Sequence, residues 1–229
     1  MRSAAFVLAA ALLATPVLAD EAGESPVAVT RSLSVPLSAD GKLVIDETWG
    51  ELEVVAWDKA EVAVEFDARS SKTYPAEKLA KATEKLQRFG VEAEAVSAGE
   101  VRVTGLNPSA SLGSPFGGKS GVQTHYKLRV PRGATLVVRH GVGSVDVKGF
   151  TGDVDVGGGT GEVNLDLGLG LESAVEASTR VGDIQLPAVL REVGDSKRRV
   201  LVGESYSYRP TTAERRVVAR LSVGSIELR

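Results

Sequence analysis

The chain has no cysteine among its 229 residues. Disulfides, thiol nucleophiles and thiolate metal sites are therefore excluded, and burial and backbone hydrogen bonds must hold the fold. Aromatic residues are only 5% of the sequence, so the core has to be built from Val, Leu, Ile and Ala. Histidine occurs twice, at His125 and His140, which leaves little for general acid–base chemistry. A basic excess is missing too, since the formal net charge is −3. That balance argues against a nucleic-acid binder, which needs a basic face.

After residue 19 no stretch is apolar and long enough to span a bilayer. Residues 1–19 read as a signal peptide: Arg2, an apolar run from Ala4 to Ala14, then small residues at Val17 and Ala19 before Asp20. Arg2 is the only charge in that segment, so 26 basic side chains remain against 30 acidic ones. The expected product is exported to the periplasm or outside the cell. It has no lipid anchor, and no membrane span follows the leader.

The stretch that organises the rest runs from Leu136 to Leu167. It holds three copies of one unit: GSVDV at Gly143, GDVDV at Gly152 and GEVNL at Gly161. In each, a glycine precedes a period-2 alternation, the mark of a turn followed by a half-buried strand. Gly50 opens an earlier copy, GELEV. Gly143, Gly161, Gly182, Gly203 and Gly224 are spaced by 18, 21, 21 and 21 residues. Val175 and Ala177 also lie 42 residues before Val217 and Ala219. This predicts a mainly β, single-chain β-solenoid, parallel β-helix-like, with coils of about 21 residues. Its outer rows would be Asp146, Asn164, Gln185, Tyr206, Glu227 and Ser144, Glu162, Asp183, Glu204, Ser225.

Residues 20–30 read as a disordered leader and 31–229 as one domain. Residues 75–89 read as one packed helix, with Pro75 in its first turn and Leu79, Ala82, Leu86 and Phe89 as an apolar stripe. A hairpin about Ala98 and Gly99 follows. A mobile loop is expected over about 107–121 (NPSASLGSPFGGKSG), and the DSKRR segment at Asp195 should be an outward excursion.

In their order, the pieces GELEVVAWD at Gly50, the helix after EVAVEFDA, YKLRVP at Tyr126 and the glycine units from Gly143 resemble the putative adhesin, or toastrack, family of bacterial envelope domains. The resemblance covers most of Leu33 to Leu228. It implies an envelope β-solenoid without an established enzymatic activity, and it carries over no catalytic residue.

Candidate chemistry is sparse. No GxSxG elbow occurs, His125 sits at an outward position and His140 is expected at a turn. The run GGTGEVNLD from Gly158 is similar to a calcium-binding nonapeptide but has Val163 at its key ligand position. Glu162, Asp183 and Glu204 are the candidate cation ligands, against their reading as a solvated acidic row. Asp153, Asp155 and Glu162 are the carboxylates that a polysaccharide-cleaving β-helix would use. Tyr206 and Tyr208 are candidate sugar-stacking rings, while Trp49 and Trp57 are expected to cap an open end. No cofactor is implied. The expectation is a non-catalytic binding or scaffolding domain whose partner is an envelope protein or glycan. A polysaccharide-acting enzyme and a cation-binding structural protein are the alternatives.

Overall fold

The computed structural model describes residues 11–13, 24–106, 121–199 and 202–229. Apart from Gly121, the loop expected at 107–121 lies outside them, as does most of the expected signal peptide. The chain enters through β1 (Ala11–Leu13) and β2 (Glu24–Pro36), followed by β3 (Lys42–Trp49), β4 (Glu51–Trp57) and β5 (Glu61–Pro75). Helix α1 (Ala76–Leu86) comes next, then β6 (Gly90–Ser97), β7 (Glu100–Leu106) and β8 (Val122–Pro131). The glycine units lie in β9 (Thr135–Lys148) and β10 (Val154–Asp166), followed by β11 (Ser173–Val181) and β12 (Ile184–Gln185). Helix α2 (Ala188–Arg191), β13 (Asp195–Arg199), β14 (Gly203–Tyr208) and β15 (Arg215–Leu228) complete the described chain. All fifteen strands belong to one mixed sheet that does not close on itself.

The long strands β9, β10 and β15 each run through a corner at a glycine: Gly143, Gly161 and Gly224. Before the corner, β9 pairs with β3; beyond it, β9 pairs with β4. On the far flank, β15 pairs with β11 before the corner and with β12 after it. The sheet therefore has two arms. Alternation turns one side of each arm inward, and rows such as Leu136, Val154, Val217 and Val145, Val163, Ile226 meet in a single core. Each such side chain, buried to 1% exposure or less, contributes on the order of 1.5–3 kcal/mol. Helix α1 lays Leu86, with Phe89 just after it, on this core, and Leu79 and Ala82 pack at its margin as the stripe predicts.

The register bears out part of the repeat and corrects the rest. Gly143 pairs with Gly161, 18 residues on, and Val175 and Ala177 pair with Val217 and Ala219. The stack does not follow chain order, however. β15 lies between β10 and β11, so Gly161 neighbours Gly224, and Gly182 stands beyond it. The spacing of 42 is thus one strand step, not two coils. Gly203 is absent from the corner row, because α2, β13 and β14 leave the repeat and β14 returns antiparallel to β11. DSKRR forms the edge strand β13 of that excursion. A second correction concerns the leader. Residues 24–30 belong to β2, because Val27 and Val29 alternate inward and are buried at 6% and 3% exposure.

Candidate functional site

Two polar residues occupy inward positions. In β3, Leu43, Ile45 and Glu47 share one parity; in β9, Leu136, Val138 and His140 do the same. The register pairs Glu47 directly with His140. His140 Nδ1 lies 2.5 Å from Glu47 Oε2, with side chains 2% and 1% exposed. The contact is within ion-pair range but lacks the geometry of a hydrogen bond, and among the described residues His140 Nε2 has no hydrogen-bond partner. Glu47 Oε1 accepts the Trp49 backbone N–H at 2.5 Å.

Tyr126 reaches the same place from the second arm, 1% exposed, its ring 5.0 Å from that of Phe66. Its hydroxyl and the Glu47 stem both crowd Gly105, where a Cβ would meet them at 2.9 and 3.0 Å. Burial, and secondarily the Glu47 charge, pushes the Tyr126 phenol well above its ordinary pKa, while Thr124 partly offsets the shift. A raised folded-state pKa means that the neutral phenol stabilises the fold below the unfolded value of about 10, and that this contribution fades as pH rises past it. Tyr126→Phe should therefore flatten the loss of stability above about pH 10. At pH 7 it should cost less than about 1 kcal/mol, because among the described residues no group meets the buried hydroxyl with full hydrogen-bond geometry, Thr124 Oγ1 donating instead to the Trp49 carbonyl at 2.9 Å. Chemical denaturation at pH 7 and pH 10.5 would check both halves.

Glu47 and His140 also line the inner wall of an open groove of about 830 Å³ on the first arm. Gly157, Gly158 and Gly159 form its floor, with Arg139, Arg180 and Arg220 on its rim. Carboxylates partly offset these cations. Asp46 lies 3.6 Å from Arg139 and 3.9 Å from Arg102; Asp155 lies 3.3 Å from Arg220. Glu176 takes Arg209, Arg216 at 3.3 Å and Arg220 at 3.6 Å. Its carboxyl is held below the usual range, first by the hydrogen bond from Arg209 and further by the charges of Arg209 and Arg216. A second hollow, of about 660 Å³, lies at the corner between Trp49, His125 and Glu162.

The residues singled out from the sequence are dispersed. Glu162 stacks between Ser144 and Ser225, so Ser225 separates it from Asp183. Glu204 is on β14, where its carboxylate accepts the Ile184 N–H at 2.8 Å. The predicted acidic ladder is thus broken by the insertion of β15. Among the described residues no group of three His, Cys, Asp or Glu side chains is placed to hold a metal ion. Tyr206 is buried, not presented, and its hydroxyl donates to the Leu190 carbonyl at 2.6 Å. Tyr208 packs against the core and donates to the Leu171 carbonyl at 3.2 Å. Trp49 lies in the corner beside Val142 instead of capping an end. Trp57 donates to the Glu61 carbonyl at 2.8 Å and lies under Lys59, 4.9 Å away. Asp153 accepts the Arg216 N–H at 2.7 Å, Asp155 pairs with Arg220, and Glu162 lies beyond the corner, so these three carboxylates do not converge.

His125 is outward, as expected, with its side chain 48% exposed. His140 is the correction, since β9 continues through it and no turn intervenes. The missed signal was parity: KLVIDE and TLVVRH each place their last residue on the apolar face.

No family model matches the sequence, and no curated protein matches it. Among solved structures, the chain is similar to a putative cell adhesion protein from Clostridium sporogenes ATCC 15579, with 11% identity over 87% of this chain and 98% of that one and a TM-score of 0.47. It is also similar to a putative adhesin from Bacteroides fragilis NCTC 9343, at 10% identity over 87% and 97% of the two chains and a TM-score of 0.28. A third likeness is to a putative lipid binding protein from Parabacteroides distasonis ATCC 8503, at 14% identity over 68% and 65% and a TM-score of 0.28. These likenesses are too distant to carry any residue's role across to this chain.

Proposed function

We propose that the chain is an exported, non-catalytic binding or scaffolding domain of the bacterial cell envelope, built as a solenoid-like stack of corners. The observation behind this reading is how its carboxylates are placed. Many of them lie on outer strand rows beside a cation of the neighbouring strand, as in Glu65 with Arg129 at 2.7 Å, Glu53 with Lys127 at 3.5 Å and Asp155 with Arg220 at 3.3 Å. The candidate carboxylates Asp153, Asp155 and Glu162 do not face one another. A glycoside-cleaving enzyme instead needs two carboxyl groups facing each other across a substrate. The signal-peptide pattern of residues 1–19 and the resemblance of the ordered pieces from Gly50 onward support export and an adhesin-like role.

The test is thermal unfolding of the exported chain against panels of cell-wall glycans and divalent cations, with an assay for new reducing ends in the same tubes. A rise of several degrees with one glycan and no cleavage is expected, because a ligand that prefers the folded state stabilises it. Release of reducing ends would overturn the non-catalytic reading. Stabilisation by a cation alone would replace it with the cation-binding one.

A further inference from the structure

We propose that the arginine-rimmed groove of the first arm binds the carboxylate groups of an acidic polysaccharide, in a slot over Gly157 between Arg139 and Arg220. The assignment rests on the binding-module reading and specifies its ligand.

The register builds the slot. Arg139, Gly157 and Arg220 are direct partners on β9, β10 and β15. The two arginines are therefore two strand spacings apart, roughly 10 Å, across a strand that carries no side chain between them. A Cβ on Gly157 would meet only the Val138 carbonyl, at 3.8 Å, so the space above it is open. Gly158 and Gly159 differ, since a Cβ there would strike Leu221 at 2.7 Å or the Gly141 carbonyl at 2.3 Å. Gly157 leaves a slot; its two neighbours are needed for packing. The floor's N–H groups belong to the strand ladder, so recognition falls to the guanidinium forks, which match an oxyanion with two parallel hydrogen bonds.

Charge on this face is in excess. Arg102, Arg139, Arg209, Arg216 and Arg220 share three carboxylates, and Arg180 has no ion-pair partner among the described residues. The Arg139 and Arg220 side chains are 72% and 51% exposed, so an incoming anion meets them at little desolvation cost. Among the described residues Leu221 is the only large apolar side chain lining the groove, and it is itself buried, so they offer little for an acyl chain to pack on. Cations alternate with Asp46 and Asp155, which can accept hydrogen bonds from sugar hydroxyls. That pattern suits a polymer with hydroxyls beside each carboxylate better than a DNA phosphodiester backbone, which has no hydroxyl to donate to Asp46 or Asp155.

The test is titration of the exported chain with oligogalacturonate, with its methyl ester, duplex DNA and anionic phosphatidylglycerol vesicles as comparisons. Oligogalacturonate should bind, weaken as salt is raised, and bind at least tenfold tighter than the ester. Gly157→Glu, which puts a carboxylate in the slot, should lower affinity at least tenfold, and Gly157→Ala should leave it unchanged. Arg180→Gln removes no internal ion pair and should lower affinity about threefold to tenfold. Equal binding of the ester, preference for DNA or vesicles, or full affinity in Gly157→Glu with a native circular dichroism spectrum would overturn the slot. Should Gly157→Glu not fold, Arg180→Gln decides alone. If a neutral glycan binds while oligogalacturonate does not, the slot falls and the binding-module reading stands. If oligogalacturonate is cleaved, the non-catalytic reading falls whatever its affinity.

Discussion

Replacing Gly161 by alanine should destabilise the protein by about 4 kcal/mol, the sum of a strained backbone and a backbone clash. Gly161 has φ +144°, a region that L side chains rarely adopt, and a Cβ there would lie 1.8 Å from the Gly143 carbonyl oxygen. Neither a rotamer change nor a flexible neighbour can relieve that contact, because both partners are main chain at the bend. The same constraint recurs along the row: a Cβ at Gly143 would lie 1.8 Å from the Gly50 carbonyl oxygen, and one at Gly224 would lie 1.7 Å from that of Gly161. A chain of this size should lose roughly 10 °C in melting temperature. Gly157→Ala, four residues earlier and still in β10, is the control and should move the midpoint by no more than about 2 °C. Equal effects of the two substitutions in a thermal melt would show that the corner row does not hold the arms together.

The second large effect is expected at Glu47 and His140. Glu47→Leu removes the partner of a buried imidazole and the acceptor of the Trp49 N–H. Breaking a buried pair from one side costs about 3–5 kcal/mol, since the group left behind keeps its desolvation penalty without compensation. Glu47→Leu/His140→Leu should cost no more than the worse single variant, giving a coupling energy of about 2–3 kcal/mol. Urea denaturation of the four proteins measures it. Strictly additive losses would mean that the two groups do not interact.

Both effects bear on what was legible before the structure. Glycine spacing pointed to the corners, and the pairs 143/161, 175/217 and 177/219 are true strand neighbours. The intermediate step of 21 misled, because a sequence period cannot distinguish one coil from half of a single 42-residue strand step. The aromatic candidates misled for a related reason. ESYSYRP looks like a displayed pair of rings, but β14 runs antiparallel to β11, and Tyr206 turns onto Leu190. Of the candidate site, Arg139 and Arg220 look like ordinary outward charges in sequence. They lie 81 positions apart, and only the placement of β15 brings them to either side of Gly157.

What the sequence determined by itself is local: strands from period-2 alternation, helix α1 from its stripe, and bends from glycines that no other residue can replace. It also determined that the core is mainly aliphatic and closed without disulfides, with Tyr126, Phe66, Phe89 and Phe150 as its largest buried side chains. Tertiary structure alone decided the order of the strands. The last strand, β15, occupies the position between β10 and β11, so its hydrogen bonds and apolar rows are completed by segments far apart in the chain. Alternation says which face a residue takes but nothing about which strand it will face. Partner choice is settled by the fit of whole rows against each other, and the groove, the buried Glu47–His140 pair and the broken acidic ladder all follow from it.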